Sequence, residues 1–161
     1  MKNFSERMGI TKPPIIQLDS ITATLRNSLW NVILIVLQTD TREDLSVFCR
    51  TVAILFFKIP ADEVPTYEYV LIDWLKKRFY ALSWYEVYDF VEFLIKTNKE
   101  FERWASSFNN FLEEENSGYR LIKDQIIPIT NTQEIQAIEE ASKKAEQFGI
   151  EGARAHISQA L

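Results

Sequence analysis

Most apolar positions in this chain recur at helical spacing. Leu25, Leu29, Val32, Ile33 and Val36 fall three and four apart, and Trp30, Leu34 and Leu37 widen their stripe. That pattern predicts a helix from Ile21 to about Gln38, buried on most sides, with Asp19 or Ser20 as its cap and Thr39-Asp40-Thr41 as its end. A second helix is expected from about Arg42 to Lys58, turning Leu45, Phe48, Cys49, Val52, Leu55 and Phe56 inward. Pro60 and Pro65 end it and bracket a short loop holding Asp62 and Glu63. A third, from Thr66 to Tyr80, buries Val70, Leu71, Trp74 and Leu75. Ser83 and Glu86 stand at capping-box spacing and open a fourth, which runs to about Thr97. The fifth extends from Lys99 to Asn116 on a stripe of Phe101, Trp104, Phe108, Phe111 and Leu112, with Gly118 suited to stop it.

The period changes after Gly118. Tyr119–Ile122 and Gln125–Ile129 are β-prone runs on either side of Lys123-Asp124, which reads as a hairpin. Pro128 confines the second strand to an edge or a bulge. Asn131 and Glu134 have capping spacing for a last clear helix, from Thr132 to Gln147. The residues after Gly152 read as the first turns of a further helix, whose apolar face at Ile157, Ala160 and Leu161 is not continued. At the other end, Pro13 and Pro14 bar a helix, so the first stretch is expected to be extended. The expected fold is therefore mainly α: about six helices in an orthogonal bundle, one short β-hairpin near 119–129 and an extended N-terminal segment. Residues 1–150 form the expected domain, and 151–161 the start of a linker helix.

Composition supports that reading. Only four glycines and five prolines interrupt 161 residues, and few breakers favour long helices over a multi-strand sandwich. The net charge of −5 is unevenly spread. Residues 1–80 carry ten Lys/Arg against nine Asp/Glu, and residues 81–161 carry eight against fourteen. An acidic second half argues against a broad nucleic-acid surface, which needs clustered cations. The basic run Lys76-Lys77-Arg78 sits at a predicted helix end, where it complements the helix dipole. The single cysteine, Cys49, allows no intramolecular disulfide and fits a reducing compartment. No signal peptide is legible in the first twelve residues. The apolar runs Val32–Leu37 and Val52–Phe57 are too short to span a bilayer, so a soluble, cytoplasmic chain with no membrane partner is expected.

Little in the sequence points to catalysis. His156 and Cys49 are the only residues of their kinds, so no zinc spacing and no plausible Ser-His-Asp or Cys-His set exists. The four glycines are scattered and form no phosphate loop. Neither a cofactor nor a metal is expected. The carboxylates Glu113-Glu114-Glu115 read as a solvated helix end, or as partners for Arg120 that hold the hairpin to the helix. Asp89 and Glu92, three apart, read as an exposed face or as the lining of a polar cleft beside Tyr85 and Tyr88. Fourteen of the twenty-one aromatics lie in residues 66–111, and core packing accounts for them better than base stacking, which would need interleaved cations. Arg7 and Arg26 are either at the surface or buried against a carboxylate, with Glu92 and Glu115 as candidates.

Several runs occur in an order that resembles a known family. They are Phe4-Ser5-Glu6-Arg7, the segment from Leu25 to Asn31, the segment from Trp84 to Phe90, the run from Glu115 to Arg120, Pro128-Ile129-Thr130, and the helix from Glu134. Together they resemble one class of N-terminal domain of AbiJ-type abortive-infection proteins, over nearly the whole chain. The resemblance implies a helical sensing or regulatory domain in phage defence, fused to a C-terminal HEPN domain that is commonly a ribonuclease. The usual motif of that ribonuclease is an Arg and a His with four to six residues between them. Here Arg154 and His156 have one residue between them, so no catalytic residue is carried over and the HEPN-like partner is expected in cis, beyond this chain. The expected function is a non-catalytic regulatory module for that nuclease. The alternatives are an RNA-binding module that presents its substrate, or a dimerisation scaffold acting through the C-terminal helix. The candidate interaction or ion-pair residues are Arg7, Arg26, Trp30, Asn31, Glu92, Glu115, Tyr119 and Arg120.

Overall fold

A computed structural model describes residues 2–12, 15–40 and 44–129, with the isolated positions 140 and 144. The chain divides into two units, Met1–Ile126 and Ile127–Leu161; the second hairpin strand, Gln125–Pro128, runs across the boundary, and the other elements below belong to the first. The expected helix over 132–147, the segment 151–161 and the Arg154/His156 pair lie outside the described residues, apart from positions 140 and 144.

Among the described residues there are seven α-helices and one two-stranded hairpin: α1 (Phe4–Arg7), α2 (Ala23–Thr39), α3 (Leu45–Val52), α4 (Leu71–Tyr80), α5 (Trp84–Thr97), α6 (Lys99–Arg103), α7 (Ala105–Glu114), β1 (Tyr119–Ile122) and β2 (Gln125–Pro128). The mainly helical class with one antiparallel hairpin is as the sequence predicts. No helix among the described residues is long and apolar enough to cross a membrane.

The core forms around α2 and α5. Leu25, Leu29, Ile33 and Val36 of α2, Val87, Phe90, Val91 and Leu94 of α5, and Leu71, Leu75 and Phe79 of α4 are buried in one cluster. Phe101, Phe108 and Leu112 add the contribution of α6 and α7. Apart from Phe79 and Phe90, these are residues the helical periodicity singles out.

Several local expectations are corrected. The N-terminal stretch is not wholly extended. Asn3 accepts from the Glu6 backbone N–H at 2.9 Å, and Glu6 returns a bond to the Asn3 N–H at 3.1 Å, so a capping box nucleates the single turn of α1. Thr22, rather than Asp19 or Ser20, caps α2, accepting from Leu25 N–H at 3.1 Å. Helix α3 continues into a π-helical turn, Ala53–Phe57. The wider turn shifts the side-chain register: Leu55, expected inside, is 50% exposed, while Phe56 and Phe57 both reach Phe90, with ring centroids at 4.9 and 5.9 Å. The third helix begins with a 3-10 turn, Glu68–Val70. The fifth predicted helix breaks at Trp104, which leaves helical geometry (φ −95°, ψ 11°) and lets Phe101 and Phe108 enter the core from separate segments.

Gly118 does not stop α7. Asn116 does, at φ 55°, in a Schellman arrangement. Ser117 N–H donates to Leu112 at 2.8 Å and Asn116 N–H to Glu113 at 3.1 Å, satisfying carbonyls the helix end would leave open. Lys123 supplies the hairpin's left-handed residue, at φ 58°.

Candidate functional site

The structure brings the chemistry-bearing side chains together where the chain leaves α7 and enters the hairpin. Gln17, 7% exposed, lies beside Ser117 in a one-residue parallel bridge. Its backbone N–H donates to Asn116 at 2.8 Å and its carbonyl accepts from Gly118 at 2.7 Å. Its side-chain amide donates to the Glu115 carbonyl at 2.6 Å and accepts from Thr22 N–H at 2.7 Å. One glutamine thus ties the strap Ile15–Leu18 to both the start of α2 and the end of α7. Gly118 is required by this close approach. A Cβ there would stand 2.5 Å from Leu18 Cδ2 and 2.9 Å from the Gln17 carbonyl oxygen.

Ser117, 1% exposed, shares a hydrogen bond of 2.8 Å with the Tyr88 hydroxyl and accepts from Tyr119 N–H at 3.1 Å. Burial raises the Tyr88 pKa, with the Ser117 hydrogen bond opposing the shift. Tyr119 spans the junction, donating from its hydroxyl to the Leu18 carbonyl at 2.8 Å. Its ring lies 5.1 Å from Tyr88 and 6.1 Å from Trp84. Arg120 donates to the carbonyls of Ser117 and Tyr119, at 3.0 and 2.7 Å.

Two side chains act as surrogate strands for the hairpin. Asn109 of α7 donates to the Leu121 carbonyl at 2.6 Å and accepts from the Leu121 N–H at 2.7 Å, reproducing the pair of bonds that a neighbouring strand makes. Glu92 of α5 accepts from Ile126 N–H at 2.6 Å and is paired with Lys96 at 3.3 Å. The hairpin is therefore held to the helices by Asn109 and Glu92. Glu115 takes part through its backbone carbonyl, and Glu113 is exposed.

The remaining candidates are dispersed. Arg7 is exposed and donates to the Lys2 carbonyl at 3.0 Å, with no carboxylate from Glu92 or Glu115 beside it. Arg26 is half-buried, and its partners are carbonyls. It donates to Leu82 at 2.7 Å and to Phe79 and Tyr80 at 3.4 and 3.5 Å. A carboxylate partner is unnecessary because the carbonyl end of α4 carries the compensating partial negative charge. Trp30 is buried against Phe79, 5.5 Å between rings, and Asn31 is exposed on the same helix. Asp89 is exposed and apart from Glu92's bond, so the two do not line a common cleft.

Sequence reasoning missed Gln17, Asn109 and Ser117. Asparagine and serine within polar runs look like solvent-facing residues, and only the approach of a second backbone gives them work. Cys49 is buried, which pushes its thiol up to about 12, and a thiol so far from ionising is a poor nucleophile. No group of three or more His, Cys, Asp and Glu that could hold a metal occurs among the described residues.

No curated protein and no solved structure gives a significant match to the chain. The residues that make up the junction, from Gln17 in the strap to the hairpin entry at Tyr119 and Arg120, all lie within the match to one family model, AbiJ N-terminal domain 4, over residues 2–144, and the chain belongs to that family.

Proposed function

We propose that this domain is a non-catalytic regulatory module of a cytoplasmic abortive-infection phage-defence protein, controlling a C-terminal HEPN ribonuclease domain in cis. Family membership over residues 2–144 carries the proposal. The junction geometry supports it. The hairpin, the last described element, is bonded to α5 by Glu92, to α7 by Asn109 and to the N-terminal strap by Tyr119. A displacement in any of the three changes what holds the chain leading onward.

Control of an attached domain requires a difference in interaction free energy between two states. Moving an equilibrium from 1:99 to 99:1 takes about 5.5 kcal/mol. The four hydrogen bonds made by Glu92, Asn109 and Tyr119, at about 1 kcal/mol each and up to about 3 for the charged one, are of that order. An RNA-presenting role draws less support, because the basic run is already engaged. Lys77 pairs with Asp73 at 2.9 Å, Arg78 lies over Trp74 and Phe57 and reaches Glu63, and Lys76 lies over Tyr80.

The test uses the full-length protein under phage challenge. Glu92→Ala with Asn109→Ala should uncouple growth arrest from infection, giving arrest without phage or none with it, while the RNA cleavage rate of the separated C-terminal domain stays the same. Plaque counts and growth curves indistinguishable from wild type would sink the regulatory reading.

A further inference from the structure

Two exposed patches are not accounted for by the fold or by the junction. The first is the N-terminal arm, residues 2–12. The capping box holds its helical turn, yet Phe4, Met8 and Ile10 are 63%, 63% and 70% exposed. The arm carries Lys2, Arg7 and Lys12 against Glu6 alone, and Glu6 is bound into the cap. It is an apolar, basic arm. The second patch follows the π-helical turn, where Tyr67 and Tyr69 are 66% and 82% exposed with ring centroids 5.7 Å apart. Asp62, Glu63 and Glu68 flank them in the sequence, Glu63 paired with Arg78 at 3.4 Å, and residues 59–69 contain no lysine or arginine. It is an aromatic, acidic patch.

Exposed apolar side chains gathered in one place mark an interaction surface. The two patches are opposite in charge, and cations gain from lying on tyrosine faces. Within one chain they do not cover each other, since all five large side chains stay exposed. We propose that the arm of one copy docks on the acidic tyrosine patch of a second copy, reciprocally, forming a twofold dimer. At roughly 150–250 Å² for a whole aromatic side chain, the three rings offer about 400 Å² per contact at these exposures. Two such contacts, with Met8 and Ile10 added, bring the total to about 1,000 Å², the lower bound for a specific interface. Reciprocity also closes the assembly, as a single head-to-tail contact would not.

Sedimentation equilibrium of the full chain over a concentration series should show reversible association to twice the chain mass, weakening as salt is raised. Met8→Ser with Ile10→Ser in the arm, and separately Tyr67→Ser with Tyr69→Ser in the patch, should each weaken it at least tenfold without lowering Tm, because all four side chains are exposed. Lys2→Glu with Lys12→Glu should weaken it too, and adding Asp62→Lys with Glu68→Lys to that variant should restore it. A monomer at every concentration overturns the proposal and leaves the patches to a different protein. A dimer sensitive to the arm variants but not to the patch variants overturns the pairing of the two surfaces.

Discussion

Replacing Asn109 by alanine should show how far a single amide can stand in for a strand. Asn109 both donates to and accepts from Leu121, and Leu121 is 3% exposed. Alanine removes two hydrogen bonds, each with a net value of about 1 kcal/mol, and strands a buried donor and acceptor at about 1–3 kcal/mol apiece. Partial access of water reduces the second contribution, so a loss of about 2–4 kcal/mol is expected. In a chain of this size, 1 kcal/mol corresponds to roughly 2–4 °C, which places the fall in Tm at about 5–15 °C.

Asn109→Asp makes the prediction sharper. A carboxylate can still accept from the Leu121 N–H but faces the Leu121 carbonyl with negative charge. The Asp variant should therefore be no more stable than the Ala variant at neutral pH. It should recover as pH falls through the Asp pKa, because a protonated carboxyl can donate to that carbonyl. The pKa of this Asp would be raised by the carbonyl, so the stabilised protonated form prevails below the folded pKa and the gain is lost above it. Guanidinium titrations at several pH values measure both effects. An Asn109→Ala loss below about 0.5 kcal/mol, the range of an ordinary surface substitution, would refute the surrogate-strand argument.

Gly118→Ala should cost about 2–3 kcal/mol in denaturant unfolding, since its Cβ meets the Gln17 carbonyl and forces the strap away from both backbone bonds. Hydrogen exchange at Gln17 and Gly118 should quicken in step, and unchanged protection there would contradict the clip. Arg26→Met keeps the aliphatic stem and removes the charge that caps α4, with an expected loss of about 1–2 kcal/mol. A variant as stable as wild type would mean that water satisfies those carbonyls equally well. Cys49 ionises near pH 9.0 when unfolded and near 12 when folded. Stability present below pH 9 should therefore fall as pH rises from 9 towards 12, by at most about 1.4 kcal/mol per pH unit. Cys49→Ala should flatten that slope between about pH 9 and 10 in guanidinium titrations, before the tyrosines ionise; an unaltered slope would assign the alkaline loss to other groups.

The helices were legible because burial imposes a period. A residue such as Leu29 or Leu94 is fixed inward by its neighbours three and four positions away, and those neighbours are in the sequence. The cap at Ser83 and Glu86 was legible for the same reason, since both partners lie within one turn. The π-helical turn at Ala53–Phe57 was not. An extra residue in a turn leaves the apolar run Ala-Ile-Leu-Phe-Phe unchanged while moving Leu55 out and Phe57 in. The helix stop moved from Gly118 to Asn116 for a related reason. Asn116 and Gly118 both suit a helix stop, and only the approach of Gln17 to Gly118 decides which serves it.

The site separates along the same line. Tyr119 and Glu92 were legible as residues, but their partners were not, because 101 positions separate Tyr119 from Leu18 and 34 separate Glu92 from Ile126. A carboxylate and an arginine suggest an ion pair with each other, yet Glu92 bonds the Ile126 N–H while pairing with Lys96, and Arg26 bonds carbonyls. The physical reason is common to both: a hairpin edge and a helix end each present unpaired backbone dipoles, and a side chain of the right sign satisfies them. A two-stranded hairpin is at best marginal by itself. Among the described residues it is held by the side chains of Asn109, Glu92 and Tyr119 and by Leu121, 3% exposed in the core, so releasing it costs those hydrogen bonds and the burial of one leucine.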